Sequence, residues 1–146
     1  MTQRQTLTPF IESYRFWDVV TLWGRERLEH EEIVARVLAQ AVIRDGLRVQ
    51  SIDTRWVKGN DHTIEFRGYP YVGFCAKAGL PMCVLRAEAL EHLLAIVQRA
   101  ETPNRERLAD EFVLREDFRA WVAVTGCPLP TFWFGGMTQR TGSDHR

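Results

Sequence analysis

"EHEEIVARVLAQAVIRDG" (residues 29–46) runs directly into "LRVQSIDTRWV" (residues 47–57), and the spacing of apolar residues changes where the two segments meet. In the first segment, apolar residues recur at helical spacing and predict one buried helix face: Ile33, Val34, Val37, Leu38, Ala41 and Val42. Acidic residues at its start and Gly46 at its end suit a helix dipole and a left-handed C-cap. The second segment alternates with the period of two that is typical of a strand. A helical part therefore gives way to a sheet, which predicts an α+β fold.

The residues before this segment predict another helix, so that the chain begins with a helical hairpin. Thr8 and Pro9 suit an N-cap and a first helical position. Two apolar stripes follow, Phe10, Tyr14, Trp17 and Thr21 on one side and Phe16, Val19, Val20 and Trp23 on the other. One continuous helix and a helix interrupted near Tyr14 both fit this pattern.

The middle of the chain predicts a small, mostly antiparallel sheet of about four strands. "KGND" (residues 58–61) is a turn cluster between the alternating segments 47–57 and 62–68, and this arrangement predicts a hairpin. Two further short strands are predicted in "YPYVGFCAKAGLPMCVL" (residues 69–85), where Pro70 and Pro81 favour strand ends.

Two C-terminal helices are predicted after the sheet. The first, within residues 86–100, would bury Leu90, Leu93, Leu94 and Val97. A polar connection with at most one helical turn then leads to an extended "FVL" (residues 112–114). The second helix, residues 115–126, would bury Phe118, Trp121 and Val122 and end at Gly126.

"PLPTFWFGG" (residues 128–136) predicts an aromatic closing segment near the end of the chain. Two prolines stiffen it, and three aromatic residues follow. An extended strip would place Phe132 and Phe134 on one side and Trp133 on the other. We expect it to close one globular domain, residues 8–136, against Trp17 and Trp23, with residues 1–7 and 137–146 as flexible tails. A homodimer or partner interface is the alternative if Trp133 faces outward.

Composition and charge exclude several classes of protein. The 146 residues carry 19 basic and 19 acidic side chains, so no concentrated basic surface is indicated. No apolar run is long enough to cross a bilayer and the first residues lack a signal sequence, which predicts a cytoplasmic protein without membrane contact. Three cysteines without Cys-x-x-Cys spacing argue against a disulfide framework, a zinc ribbon or another metal site.

No sequence motif identifies an enzyme or a cofactor. Dinucleotide, P-loop and Gly-x-Ser-x-Gly patterns are lacking, and "HEEIV" (residues 30–34) has no second histidine for a zinc protease. Glu88 and His92, four residues apart on a predicted helix, are the one acid–base candidate, and a solvated surface pair is the favoured interpretation. Cys75 and Cys83 are the thiol candidates. A catalytic function is therefore not favoured.

The segment "FVLREDFRAWV" (residues 112–122) resembles the stretch after the wing in excisionase-type and MerR-type winged-helix proteins. That resemblance implies a strand that leads through an arginine into a helix packed against the wing. It places Phe118, Trp121 and Val122 at structural positions and Arg115 where a side chain meets a phosphate. It covers only about a dozen residues.

Together these observations predict a small non-catalytic binding or regulatory module that acts through protein–protein contacts or a homo-oligomer. The alternatives are a nucleic-acid-associated accessory factor and a small enzyme or ligand-binding protein with an unrecognised pocket. The candidate binding residues are the arginines and aromatics predicted near the surface: Arg48, Arg55, Arg67, Arg115, Trp56, Tyr69, Tyr71 and Trp133.

Overall fold

A computed structural model describes residues 12–51, 63–66, 69–76, 79 and 83–135, with the backbone alone for residues 63–66 and 69–70. Helices and antiparallel strands are mixed along the chain, which confirms the predicted α+β class. The strands are β1 (Ser13–Arg15), β2 (Val49–Gln50), β3 (Thr63–Phe66), β4 (Tyr69–Phe74), β5 (Cys83–Arg86) and β6 (Phe112–Leu114). The α-helices are α1 (Phe16–Arg27), α2 (Glu31–Gln40), α3 (Ala87–Arg99) and α4 (Arg115–Thr125). No helix among the described residues has the length and apolar character needed to cross a membrane.

The N-terminal helical hairpin is formed by α1 and α2, which pack against each other. Of the two alternatives for residues 10–28, the interrupted one is found, because Tyr14 lies in β1 and α1 begins at Phe16. The predicted cap at Thr8 and Pro9 lies outside the described residues. Gly24 allows the close approach of the chain after α1, since a Cβ there would lie 3.0 Å from the carbonyl oxygen of Glu29.

The second helix of the hairpin ends in an unusual way. A π-helical turn, Ala41–Asp45, continues α2 and is closed by Gly46 in the left-handed conformation, with φ 92°. The predicted C-cap at Gly46 is therefore confirmed, although it ends a π turn rather than an α-helix. The wider turn brings Leu47 N–H to the carbonyl of Ala41 at 3.0 Å, and the chain enters β2 directly afterwards.

The strands form two three-stranded antiparallel sheets instead of one sheet of about four strands. In the first sheet β6 lies between β1 and β2, so that Val113 is opposite both Tyr14 and Val49. The second sheet is the meander β3-β4-β5. The β2 strand pairs with β6, not with β3, so the hairpin predicted between the segments 47–57 and 62–68 is not formed by their described residues. The backbone N–H of Ser51 donates to the carbonyl of Val84 at 2.8 Å and joins the two sheets.

A buried ion pair fixes the place where the sheets meet. Glu111 is fully buried and accepts from Arg86 at both oxygens, at 2.8 Å from Nε and 3.1 Å from Nη2. The hydroxyl of Ser51 donates to the same carboxylate at 2.6 Å and accepts from the backbone N–H of Arg86 at 2.9 Å. Every partner in this network is held by another, which is what makes a buried charge tolerable.

The closing segment is helical rather than extended. Residues 131–135 form one short helix, which we call the closing turn, and Glu26 of α1 accepts from the N–H groups of Thr131 and Phe132, each at 2.9 Å. Trp133 and Phe134 are both buried, so the prediction that the aromatics lie inward is confirmed for these two and the outward-facing alternative for Trp133 is wrong. Helical geometry places both on the core side, where strand alternation would have separated them.

Contacts of the closing turn are made with α4 and β1. Phe118 stacks against Trp133 at 5.3 Å and Phe134 at 6.3 Å, and Tyr14 meets Trp133 edge to face at 4.8 Å between ring centroids. Trp23 reaches this cluster through Phe118, at 5.3 Å. The turn therefore closes the core largely as expected, with Phe118 and Tyr14 rather than Trp17 as its direct aromatic neighbours among the described contacts.

Candidate functional site

A surface groove lies where α1, α2 and α4 meet, and we call it the Trp121 groove. Its volume is about 220 Å³. It is lined by Trp23, Arg27, Glu29, Val34, Val37, Trp121, Thr125 and Cys127. An engineered apolar cavity of about 150 Å³ is enough to hold benzene, so this groove has room for one large apolar side chain.

The floor of the groove is aromatic and its charges are paired. Trp23 and Trp121 meet edge to face, with centroids 6.0 Å apart and an interplanar angle of 88°. The guanidinium of Arg27 lies over Trp23, 5.4 Å from the ring centroid, and its Nε is 2.9 Å from an oxygen of Glu29. An occupant of the groove therefore meets apolar surface bordered by a neutralised ion pair.

Two exposed apolar side chains belong to the groove: Val37, 45% exposed, lines it, and Leu28, 90% exposed, lies between the lining residues Arg27 and Glu29. Elsewhere, Ile33 of α2 is 47% exposed and Val124 of α4 is 86% exposed. The prediction that Ile33 and Val37 face the core is wrong. The core side of α2 is taken instead by Ala35 and Ala39, both fully buried. Small side chains let a helix approach its neighbours closely, and the larger residues of the same wide apolar stripe are then left at the surface.

Leu28 occupies a backbone conformation that rarely carries such a residue. It follows the last residue of α1 with φ 58° and ψ 45°. Its N–H donates to the carbonyl of Arg25 at 3.3 Å, and the next N–H, of Glu29, donates to Gly24 at 2.9 Å, which is a Schellman motif. Glycine or asparagine usually fills this position because a Cβ is crowded there.

A second depression, of about 330 Å³, lies on the other side of Trp121. It is lined by Asp45, Gly46, Arg48, Asp117, Ala120, Trp121 and Val124. Arg48 and Asp117 face each other, with Nη1 and Oδ2 3.6 Å apart, and burial raises the pKa of the Asp117 carboxyl. The indole N–H of Trp121 donates to Asp45 at 3.5 Å. This depression therefore holds two carboxylates and an arginine beside the apolar surface of Trp121 and Val124.

Two of the predicted binding arginines, Arg48 and Arg115, are described, and each contacts a partner within the chain. Arg48 pairs with Asp117, and the guanidinium of Arg115 lies 4.6 Å from the ring centroid of Phe134. Arg55 and Arg67 lie outside the described residues. The strand–arginine–helix order implied by the winged-helix resemblance is found, since β6 ends at Leu114 and Arg115 is the first residue of α4.

The selected aromatics do not form an exposed surface where they are described. Tyr71 and Trp133 are buried. Trp56 lies outside the described residues, and Tyr69 lies in β4 with only its backbone described. The prediction that Trp121 is buried is confirmed, since only 9% of it is exposed, and this remaining surface borders both depressions.

His92 is not the surface residue that the sequence pattern predicted, because it is fully buried. Its Nε2 accepts from the backbone N–H of Asn104 at 2.8 Å, and its Nδ1 lies 3.5 Å from Glu101. Burial, and then the nearby Arg107, lower the pKa of His92. Glu88 is exposed and lies near Arg86 and Arg107 instead, at 4.0 and 3.8 Å. The buried face of α3 therefore differs from the predicted one. Ala89, His92 and Ile96 lie in the core together with Leu93.

Two further reactive side chains, Cys83 and Ser51, are engaged by the fold, whereas the thiol of Cys127 is exposed and lines the groove. Cys83 is buried, and burial raises the pKa of its thiol, which disfavours the nucleophilic thiolate. The Ser51 hydroxyl is occupied by its hydrogen bond to Glu111. No three histidine, cysteine, aspartate or glutamate side chains within the described part of the chain lie together as a metal site requires.

Comparison with known protein families, with curated proteins and with solved structures found no match for this chain. Its site is therefore defined by geometry alone. Among the described surfaces, the Trp121 groove combines an apolar floor, room for a side chain and exposed apolar neighbours.

Proposed function

We propose that this chain is a small non-catalytic binding or regulatory module that makes protein–protein contacts through the Trp121 groove. The observation that carries the proposal is an aromatic-floored groove with one exposed apolar residue, Val37, in its wall and another, Leu28, between two of its lining residues. Contiguous apolar surface that remains in contact with water is a common feature of interaction sites. Tryptophan at the centre of such a patch is typical of the residues that dominate binding energy.

The distribution of reactive groups supports a binding role over a catalytic one. His92, Cys83 and Ser51 are engaged or desolvated within the fold and lie outside the groove. Cys127 lines the groove as an exposed thiol, but no histidine is among the lining residues to act as its base. A cytoplasmic location is part of the proposal, since the described Cys83 and Cys127 are not joined in a disulfide.

Selection of peptides from a random phage-displayed library tests this function, with the full chain immobilised at low density. We expect enriched peptides that share a large apolar anchor residue. Their binding should be lost in Val37→Glu, because a carboxylate at a half-exposed groove residue opposes an apolar occupant.

The matched control is Gln98→Glu, which introduces the same side chain at an exposed position of α3. Peptides should bind this variant as they bind the unmodified chain. Failure to enrich any peptide, or peptides that bind both variants equally, would contradict a docking role for the groove.

A further inference from the structure

Two features of Leu28 are energetically unfavourable, and no described contact within its own chain offsets either of them. Its left-handed backbone favours glycine, and its side chain is 90% exposed. Ala100 ends α3 with the same φ of 58°, but its methyl group exposes little apolar surface. The large side chain at position 28 is therefore the feature that needs an explanation, beyond the left-handed cap itself.

The positions of Leu28 and the Trp121 groove supply that explanation. Arg27 and Glu29, the residues on either side of Leu28, both line the groove, so the exposed leucine is attached to the chain at the border of an apolar depression. A protrusion next to a matching depression is the arrangement that a twofold axis makes self-complementary. Each copy can then place its leucine in the groove of the other.

Building on the proposed function, we infer that the occupant of the Trp121 groove is a second copy of this chain. Leu28 of each protomer packs on Trp23, Val34 and Trp121 of its partner. The dimer removes the exposed leucine from water and fills the groove in one step.

Charge favours a second copy over a strongly charged protein partner. The groove is bordered by Arg27 and Glu29, one of each sign, so that a twofold pairing can bring each near its opposite. The whole chain has 19 basic and 19 acidic residues, and two copies approach without net repulsion. The border carries no net charge that would attract a highly acidic or highly basic partner.

Sedimentation velocity over a concentration series tests the inference on the full chain. We expect a concentration-dependent dimer, and we expect Leu28→Gly to be monomeric at the same concentrations. Glycine suits the left-handed position, so the melting temperature of the Leu28→Gly monomer should be unchanged or higher than that of the unmodified chain at monomeric dilution. Loss of the dimer therefore cannot be attributed to unfolding.

Ala100→Gly is the matched control, since it makes the same kind of change at the other left-handed cap and should leave the dimer intact. A second pair is Val37→Glu, which should dissociate the dimer, and Gln98→Glu, which should not. An unmodified chain that stays monomeric throughout the series overturns the inference, and so does a Leu28→Gly variant that dimerises normally. Groove-dependent peptide binding by a strictly monomeric chain would assign the groove to another protein and leave the proposed function standing.

Discussion

Helix α4 carries two aromatic residues, one turn apart, that differ in what covers them. Phe118 is fully buried because the closing turn stacks Trp133 and Phe134 on it. Trp121 is 9% exposed and borders both depressions, and Leu28 and Val124 near them are the most exposed large apolar residues described. The chain thus covers Phe118 completely with its own closing turn and leaves an edge of Trp121 at the surface, on what we call the open side of α4.

The two sides also differ in the hydrogen bonding and conformation of the backbone beside them. On the covered side, Glu26 accepts two N–H groups at the start of the closing turn and fixes it to α1. On the open side, Leu28 is held in an unfavourable conformation with its side chain in water. This difference motivates the proposal that one face of α4 serves folding and the other serves association.

The largest expected effect is on the covered side. Phe134→Ala removes a fully buried ring and should lower the free energy of unfolding by about 3–5 kcal/mol. Val124→Ala, on the open side, should change it by no more than about 0.5 kcal/mol. Urea unfolding of both variants at a protein concentration where the chain is monomeric measures the contrast. Equal effects would contradict the assignment of the two sides.

A smaller effect is expected from the contact that holds the closing turn. Glu26→Gln keeps one acceptor oxygen but loses the charge that both N–H groups meet, and should cost about 1 kcal/mol. Glu32→Gln, which affects only an exposed pair with Arg36, should cost about 0.5 kcal/mol or less. A Glu26→Gln variant as stable as Glu32→Gln would show that the turn does not depend on this cap.

A third effect concerns the pH dependence of the free energy of unfolding. It arises from His92, which lies on α3 and belongs to neither side of α4. Its pKa is lowered in the folded state by burial, so below its ordinary value of about 6.5 the unfolded chain binds more protons than the folded one. The free energy of unfolding should therefore fall as the pH drops below that value, and the fall should level off below the folded pKa. In His92→Gln this component of the pH profile should disappear. An unchanged profile would mean that His92 is not held neutral.

The smallest stability change is expected at Leu28. Leu28→Gly should leave the free energy of unfolding of the monomer unchanged or raise it by up to about 1 kcal/mol, because relief at the left-handed cap is partly offset by the greater freedom of glycine in the unfolded chain. Ala100→Gly should give a change of the same sign, as it meets the same φ. Thermal melts at monomeric dilution provide the comparison. A marked loss of stability in Leu28→Gly would mean that the leucine side chain supports its own fold.

Local patterns predicted most of the elements and the covered side of α4. The spacing of Phe118, Trp121 and Val122 identified three buried residues, of which Trp121 keeps an edge at the surface, and Gly126 marked the end of the helix, where it adopts φ 82°. Pro128 and Pro130 with three aromatics indicated a closing segment. Its helical form could not be read from alternation, because the cap that starts it comes from Glu26, over a hundred residues away in sequence.

The open side was missed for a related reason. Helical spacing places Ile33 and Val37 on the same apolar stripe of α2 as the buried Val34 and Leu38. Which part of that stripe is buried depends on the tertiary packing of Ala35 and Ala39, which spacing does not show. One local signal was available: "GRERLEH" (residues 24–30) ends a helix without a glycine or asparagine at the cap. For the buried pair of Arg86 and Glu111, which lie far apart along the chain, no signal in the sequence joins the two residues.

Disulfide trapping offers the sharpest measurement of whether the open side of α4 is covered by a second copy. Cys127 lines the Trp121 groove and is exposed, so a thiol placed by Leu28→Cys would face it across the dimer. In a Cys75→Ser background, mild oxidation should yield a covalent dimer that reducing agent dissolves and that Cys127→Ser prevents. A chain that remains monomeric on oxidation with both thiols still reactive, so that no intrachain bond has formed, would contradict the reciprocal packing of Leu28 in the groove, and so would a covalent dimer that persists in Cys127→Ser.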